Sequence, residues 1–268
     1  MEKAIICIAI GKDSYDAEVR NLIRTVRENG GNCADTKIIL YTDRDDRQAD
    51  DDNVLVMPLP IEPKFNGSAR LAHRLAKTLI YSNMPCDKAI FVDTDVECWS
   101  DFSDLWEYCD DNIQHGIPDG RTPDPLDMIA NLTFPCKQHY EHAKLVFGGK
   151  YIDAEDKPTA WNVGVLPMSK QMGSKIGPEV HSTLMFLGTE LKGDIWKAFT
   201  SNFDEQVPLN YSLWRCHIPT RDIDVKYNMT KMPVVNRLRE PNEVVFLHLR
   251  HIGNKTNSSV YNKFLAGS

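Results

Sequence analysis

Hydrophobic and polar positions follow two regimes along the first hundred residues. Ala4 to Ile10 is a near-continuous apolar run, which suits a strand buried on both faces. Gly11-Lys12-Asp13 interrupts it. From Ser14 to Asn29 the apolar residues fall at 15, 19, 22, 23 and 26, a helical spacing that Gly30-Gly31-Asn32 brings to an end. Lys37 to Thr42 predicts a second strand, and Val54 to Met57 a third that Pro58 and Pro60 close. The acidic stretch between them, Asp43 to Asn53, reads as a solvated loop. Ser68 to Ser82 predicts a helix with Ser68 as N-cap and apolar residues at 71, 72, 75, 76, 79 and 80. Arg70, Arg74 and Lys77 ride on it. Pro85-Cys86-Asp87 then leads into Ala89-Ile90-Phe91-Val92, another buried-strand pattern. Strand–helix–strand order with short loops predicts an α/β fold: a Rossmann-like, doubly wound, mostly parallel sheet flanked by helices. Such sheets gather ligands beyond the carboxyl ends of their strands.

The pattern weakens after that. Asp110 to Pro158 shows little periodicity and is punctuated by Pro118-Asp119-Gly120, Pro123-Asp124-Pro125 and Gly148-Gly149. A long irregular insert of this kind is often functional, and acceptor binding is its natural task. Thr159 to Met168 and Val244 to His248 read as later strands. At 268 residues the chain is expected to form one domain. Its nucleotide-binding part would cover about 1–110, and its acceptor and catalytic part about 111–268.

Charge and cysteines narrow the class. The net charge of −7 leaves no basic footprint, so nucleic acid is not an expected partner. Seven cysteines, odd in number, scattered and without Cys-x-x-Cys spacing, argue against a disulfide framework or structural zinc, and for a reducing compartment. No apolar run is long enough to span a bilayer, and the chain reads as soluble and cytoplasmic.

The chemistry concentrates at Asp93-Thr94-Asp95. Alternate side chains of a strand share a face, so two carboxylates at i and i+2 can reach one point where the strand ends. Hard oxygen ligands there suit Mn²⁺ or Mg²⁺, which take their remaining ligands from water and substrate phosphates. The same tripeptide could also be an ordinary turn.

The residues around it carry a resemblance. Phe91-Val92-Asp93-Thr94-Asp95 followed by Trp99-Ser100-Asp101-Phe102-Ser103-Asp104-Leu105-Trp106 is similar to the signature of GT-A glycosyltransferases. Trp161-Asn162-Val163-Gly164-Val165 resembles a second segment of that family, and Asp204-Glu205-Gln206-Val207-Pro208-Leu209-Asn210 a third, with Glu205 where the family has an aspartate. The run from Val244 to Lys255 resembles a C-terminal element with a metal-binding histidine and a lysine on the diphosphate. The likeness is to the retaining family containing glycogenin and bacterial lipopolysaccharide galactosyltransferases. It implies a metal-dependent transfer of sugar from a nucleoside-diphosphate sugar, UDP by family habit, to a hydroxyl on a glycan, protein or small molecule.

The resemblance also implies roles for single residues. Asp93, Asp95 and His248 would hold Mn²⁺ or Mg²⁺, with His251 as the other candidate histidine. Gly253 and Lys255 would grip the diphosphate. Ala9, Gly11 and Thr42 would line the base pocket, a reading that strand-end position also supports. Lys77, Thr94, Asn162 and Gly164 would face the donor. Glu205 and Gln206 would act on the sugar, with Asp204 able to replace Glu205 if the register shifts by one. Residues 248–258 would order only around a bound diphosphate.

A rival comes from another class. A hydrophobic strand followed by Asp-x-Asp-Val also opens haloacid-dehalogenase-type phosphatases, where the first aspartate is the nucleophile. Those enzymes usually carry the motif near the amino terminus and need a late acidic pair. Here it starts at residue 93, and the one late candidate, Asp194, lacks a second aspartate. A GT-A domain that binds a sugar nucleotide without turnover is the third reading.

Overall fold

The apolar run at the amino terminus becomes β1 (Lys3–Ala9), in which every residue after Lys3 is buried. Its side chains divide by parity, as a strand requires. Ala4, Ile6 and Ile8 enter one core, and Ile5, Cys7 and Ala9 enter the other. The computed structural model describes residues 1–11, 14–44, 51–62, 64, 69–118, 147–152, 154, 158, 161–190, 205–229 and 244–248. Within these, β2 (Ile38–Thr42), β3 (Val54–Pro58) and β4 (Lys88–Val92) join β1 in parallel. A later strand, β7 (Val165–Ser169), adds to β4 antiparallel, and the sheet order is β3-β2-β1-β4-β7. The chain is therefore α/β with a mostly parallel central sheet, compatible with a Rossmann-like fold.

Helices cover both faces. On one lies α1 (Ser14–Asn29), which buries Val19, Leu22 and Val26, together with a 3₁₀ turn over Ser103–Tyr108 that buries Leu105 and Trp106. Gly31, at φ 56°, turns the chain out of α1 in the left-handed region that glycine adopts without penalty. The other face is covered by α2 (Ala69–Ser82) and, beyond the short α3 (Gly149–Ile152), by α4 (Lys170–Glu190) and α5 (Gln206–Arg215). Leu71 and Leu75 of α2, Met172, Ile176 and Val180 of α4, and Leu209 and Leu213 of α5 belong to one cluster there. α2 and α4 meet at closest range through Gly173 and Gly177, where an added Cβ would run into the Tyr81 carbonyl and Ser82.

Two small ribbons complete the described structure. β5 (Val96–Cys98) pairs antiparallel with β9 (Phe246–His248), and β6 (Gln114–Gly116) pairs in parallel with β8 (Thr220–Asp222). Several boundaries differ from the pattern in the sequence. The strand expected over 159–168 starts only at Val165, because Trp161 to Gly164 form a bridge and turn before it. The strand expected from Val244 starts at Phe246. The long α4 has no counterpart among the expected elements. Among the described residues no helix is long and apolar enough to cross a membrane. Six cysteines (7, 33, 86, 98, 109 and 216) are free thiols.

Candidate metal centre

Parallel strands deliver their carboxyl ends to one edge of the sheet, and an antiparallel neighbour delivers its beginning to that same edge. Val92, the last residue of β4, pairs with Val165, the first of β7. The Asp93 amide continues the contact by donating to the Gly164 carbonyl at 2.8 Å. Asp93, Thr94 and Asp95 then form a turn, closed by the Val96 amide donating to the Asp93 carbonyl at 3.2 Å. The two carboxylates therefore project from a turn between β4 and β5, and not from alternate positions of a strand as their spacing suggested.

The ribbon of β5 and β9 supplies the third group. Its register sets His248 opposite Val96, next to Asp95, although the two lie far apart in sequence. Two further contacts fix β9 in place: the His248 amide donates to the Met229 carbonyl and the Met229 amide to that of Phe246. His248 Nε2 lies 3.1 Å from Asp95 Oδ1. One ligand atom from each of Asp93, Asp95 and His248 falls within 4.8 Å of the others. Two hard carboxylates and one imidazole suit Mn²⁺ or Mg²⁺. His251, the other candidate histidine, lies outside the described residues.

Gly164 explains how the imidazole reaches its place. A Cβ on this residue would stand 2.5 Å from His248 Cε1 and 2.6 Å from Nδ1. The close approach that a glycine permits is thus used by a side chain of the protein itself. Asn162 holds the turn that presents Gly164. Its Oδ1 accepts from the Gly164 amide at 2.9 Å and from Asn228 Nδ2 at 2.8 Å. Asn162 is itself buried, so its side chain serves the turn.

A chain of charges centred on the buried Lys77 adjoins Asp93 of this candidate trio. Lys77, on α2, donates to Asp93 Oδ1 at 3.1 Å, to the Val163 carbonyl at 3.1 Å and to Glu205 Oε1 at 2.6 Å. Arg74, one helical turn earlier, lies 3.7 Å from Glu205 Oε2. Burial alone would lower the Lys77 ammonium, but Asp93 and Glu205 outweigh it and hold it well above the ordinary lysine value. Burial alone would raise Glu205. Lys77, Arg74 and His73 together reverse that and hold its carboxyl well below the ordinary range. Gln206 opens α5 beside Glu205, and its Oε1 is buried with no hydrogen-bond partner among the described residues. Arg74 was legible only as one charge on a helix face, and His73 had no signal at all.

The remaining expected donor residues fall in three groups. Ala9 and Thr42 end β1 and β2 on the same sheet edge, and the Gly11 amide, at φ 87°, donates to Asp43 Oδ1 at 3.1 Å. The Ala9 side chain is packed in the core under α1, and Thr42 Oγ1 accepts from the Arg44 amide at 3.3 Å. Thr94 is buried and its hydroxyl donates to Glu18 Oε2 at 3.0 Å, so it fastens the turn to α1. Asp204, Gly253, Lys255, the 249–258 segment, the acidic loop over 45–50, Ser68, the side chain of Arg70, Asp194 and most of the insert over 119–146 lie outside the described residues.

No protein-family model matches this chain, and no curated protein matches it.

Proposed function

We propose that this chain is a metal-dependent glycosyltransferase of the GT-A kind, moving a sugar from a nucleoside-diphosphate sugar, UDP-linked, to a hydroxyl acceptor with retention. The observation that carries the reading is the meeting of Asp93, Asp95 and His248 at the edge of the sheet where α/β folds gather ligands. Asp93, Asp95 and His248 would hold Mn²⁺ or Mg²⁺, whose chemistry is to neutralise the diphosphate as it leaves. Glu205, ionised between Lys77 and Arg74, places fixed negative charge beside a site where an oxocarbenium-like centre would develop. The orphaned Gln206 Oε1 is an acceptor suited to a sugar hydroxyl. The phosphatase reading fits less well, since among the described residues the third group beside the two aspartates is a histidine.

The test is calorimetry with UDP and Mn²⁺ on the wild type and on Asp93→Asn and Asp95→Ala, followed by incubation with a panel of sugar nucleotides. The expected outcome is divalent-dependent UDP binding that both variants lose, and slow release of UDP from one sugar nucleotide as water replaces the acceptor. Unchanged affinity in both variants removes the metal assignment. Release of phosphate from a generic phosphomonoester, lost in Asp93→Asn, would establish the phosphatase instead.

A further inference from the structure

Lys77 occupies an unusual position for a cation. It is 3% exposed, and its Nζ touches one oxygen of the Asp93 carboxylate. Three acceptors surround that nitrogen, namely Asp93 Oδ1, Val163 O and Glu205 Oε1, and the contact to Glu205 is the shortest at 2.6 Å. An ammonium has three protons to give, so its hydrogen-bonding capacity is filled. One oxygen of Asp93 is thereby committed within the protein. Part of the negative charge that the two aspartates bring is already countered before any cation arrives, the Lys77 charge being shared between Asp93 and Glu205.

We propose that Lys77 is an internal counter-ion that keeps the Asp93–Asp95–His248 centre weak for a divalent cation alone and makes tight binding depend on an incoming diphosphate, with Glu205 as the residue that positions Lys77. The inference rests on the metal-dependent reading of the site and deepens it. A divalent ion added beside Lys77 places two like-signed charges around Asp93, which costs Coulomb energy because Lys77 is buried and Asp93 only partly exposed. A diphosphate brings negative charge that both cations favour, so metal and diphosphate each raise the other's affinity, as linkage requires. Glu205 draws Lys77 away from Asp93. Removing the charge of Glu205 therefore leaves Asp93 as the one carboxylate among the described residues for Lys77, and strengthens its competition with the metal.

The two residues are thus expected to act with opposite sign, which a merely structural role would not produce. Mn²⁺ is titrated into the protein without nucleotide, with free ion read by electron paramagnetic resonance, and the titration is repeated with UDP present. Lys77→Met/Glu205→Gln removes both members of the buried Lys77–Glu205 pair together, so neither is left without the other, and Arg74 loses its Glu205 contact in every Glu205→Gln protein alike. The double variant should bind Mn²⁺ alone about fivefold or more tightly than wild type, and the strengthening by UDP should shrink by about the same factor. Glu205→Gln alone should bind Mn²⁺ more weakly than wild type, and Glu205→Asp, which keeps the charge, should stay nearer to it. Equal nucleotide-free affinities across the series, or shifts in the reverse directions, overturn the counter-ion role while leaving the metal centre standing. A wild type that takes up no Mn²⁺ with or without UDP removes the centre and this role together.

Discussion

Asp93 gives one oxygen to Lys77, and the His248 ring lies so close to Gly164 that a Cβ there would overlap it. These two contacts, more than the aspartates themselves, set where a cation could sit. Gly164→Ala is consequently a sharp test of the imidazole's place. The added methyl would overlap the ring, so either the ring or the turn held by Asn162 must shift. Mn²⁺ affinity in the presence of UDP should fall about tenfold or more, since ligands displaced by even an ångström lose their bond to the metal. The loss of fold stability should be small, of the order of 1–3 kcal/mol for overpacking. Calorimetry and urea denaturation on the one variant separate the two effects. Wild-type affinity in Gly164→Ala would show that His248 is not a ligand. In the sequence this glycine was visible as a mark of close approach, but the group that approaches it comes from about eighty residues downstream and cannot be read locally.

Elements whose apolar pattern had one clear period were legible. α1, α2 and the four parallel strands fall within one or two residues of their expected bounds; all but the half-exposed edge strand β3 bury their pattern against the sheet. α4 was not legible, for a physical reason. Gly173, Gly177 and Pro178 are poor helix residues, and a window scored for propensity stops there. Tertiary packing overrides propensity: the two glycines are the places where α4 lies against the end of α2. Since α2 carries Lys77 and Arg74, that contact also bears on the site. Gly173→Val should force the helices apart at the Tyr81 carbonyl and destabilise the fold by about 1–3 kcal/mol or more, read as a lower urea midpoint. The substitution raises helix propensity, so a more stable variant would show that close packing here is unimportant. Phe246→Ala tests the other anchoring element. Phe246 is fully buried with its ring 5.3 Å from that of Phe102, and its truncation should cost about 3–5 kcal/mol. The same change should loosen β9 and with it the hold on His248.

At the scale of the whole molecule, the centre is where three distant parts of the chain close on one another: α2, the turn after β4, and the start of α5 meet at Lys77. The order of motifs in the sequence announced a ligand site at this sheet edge, but the buried Lys77–Glu205 pair joining residues 128 apart was not readable, because nothing local marks a pairing across that separation. The pair makes fold stability depend on acid in a way that can be separated from other contributions. Burial holds His115 and His181 below the ordinary histidine value, so the unfolded chain takes up their protons first. Their share of stability is present above about pH 6.5 and is lost as pH falls below it. Glu205 acts lower. Its folded value is depressed, so its contribution is intact above the ordinary carboxylate range and disappears as pH falls through that range toward the folded value. Burial holds His73 low as well, and Glu205 pulls it partly back up. Urea midpoints of wild type and Glu205→Gln, measured from about pH 7.5 down to about pH 3, should therefore decline together through the histidine region, somewhat further in Glu205→Gln, and converge only below about pH 4.5. Asp51, Asp101 and Asp110, which are held low by hydrogen bonds to Arg27 or to backbone amides, lose their shares in both proteins alike and cancel from the difference. Curves that stay parallel down to the lowest pH would mean that Glu205 is no more favoured as a carboxylate in the folded chain than in the unfolded one, and that the charge chain through Lys77 does not hold the three elements together.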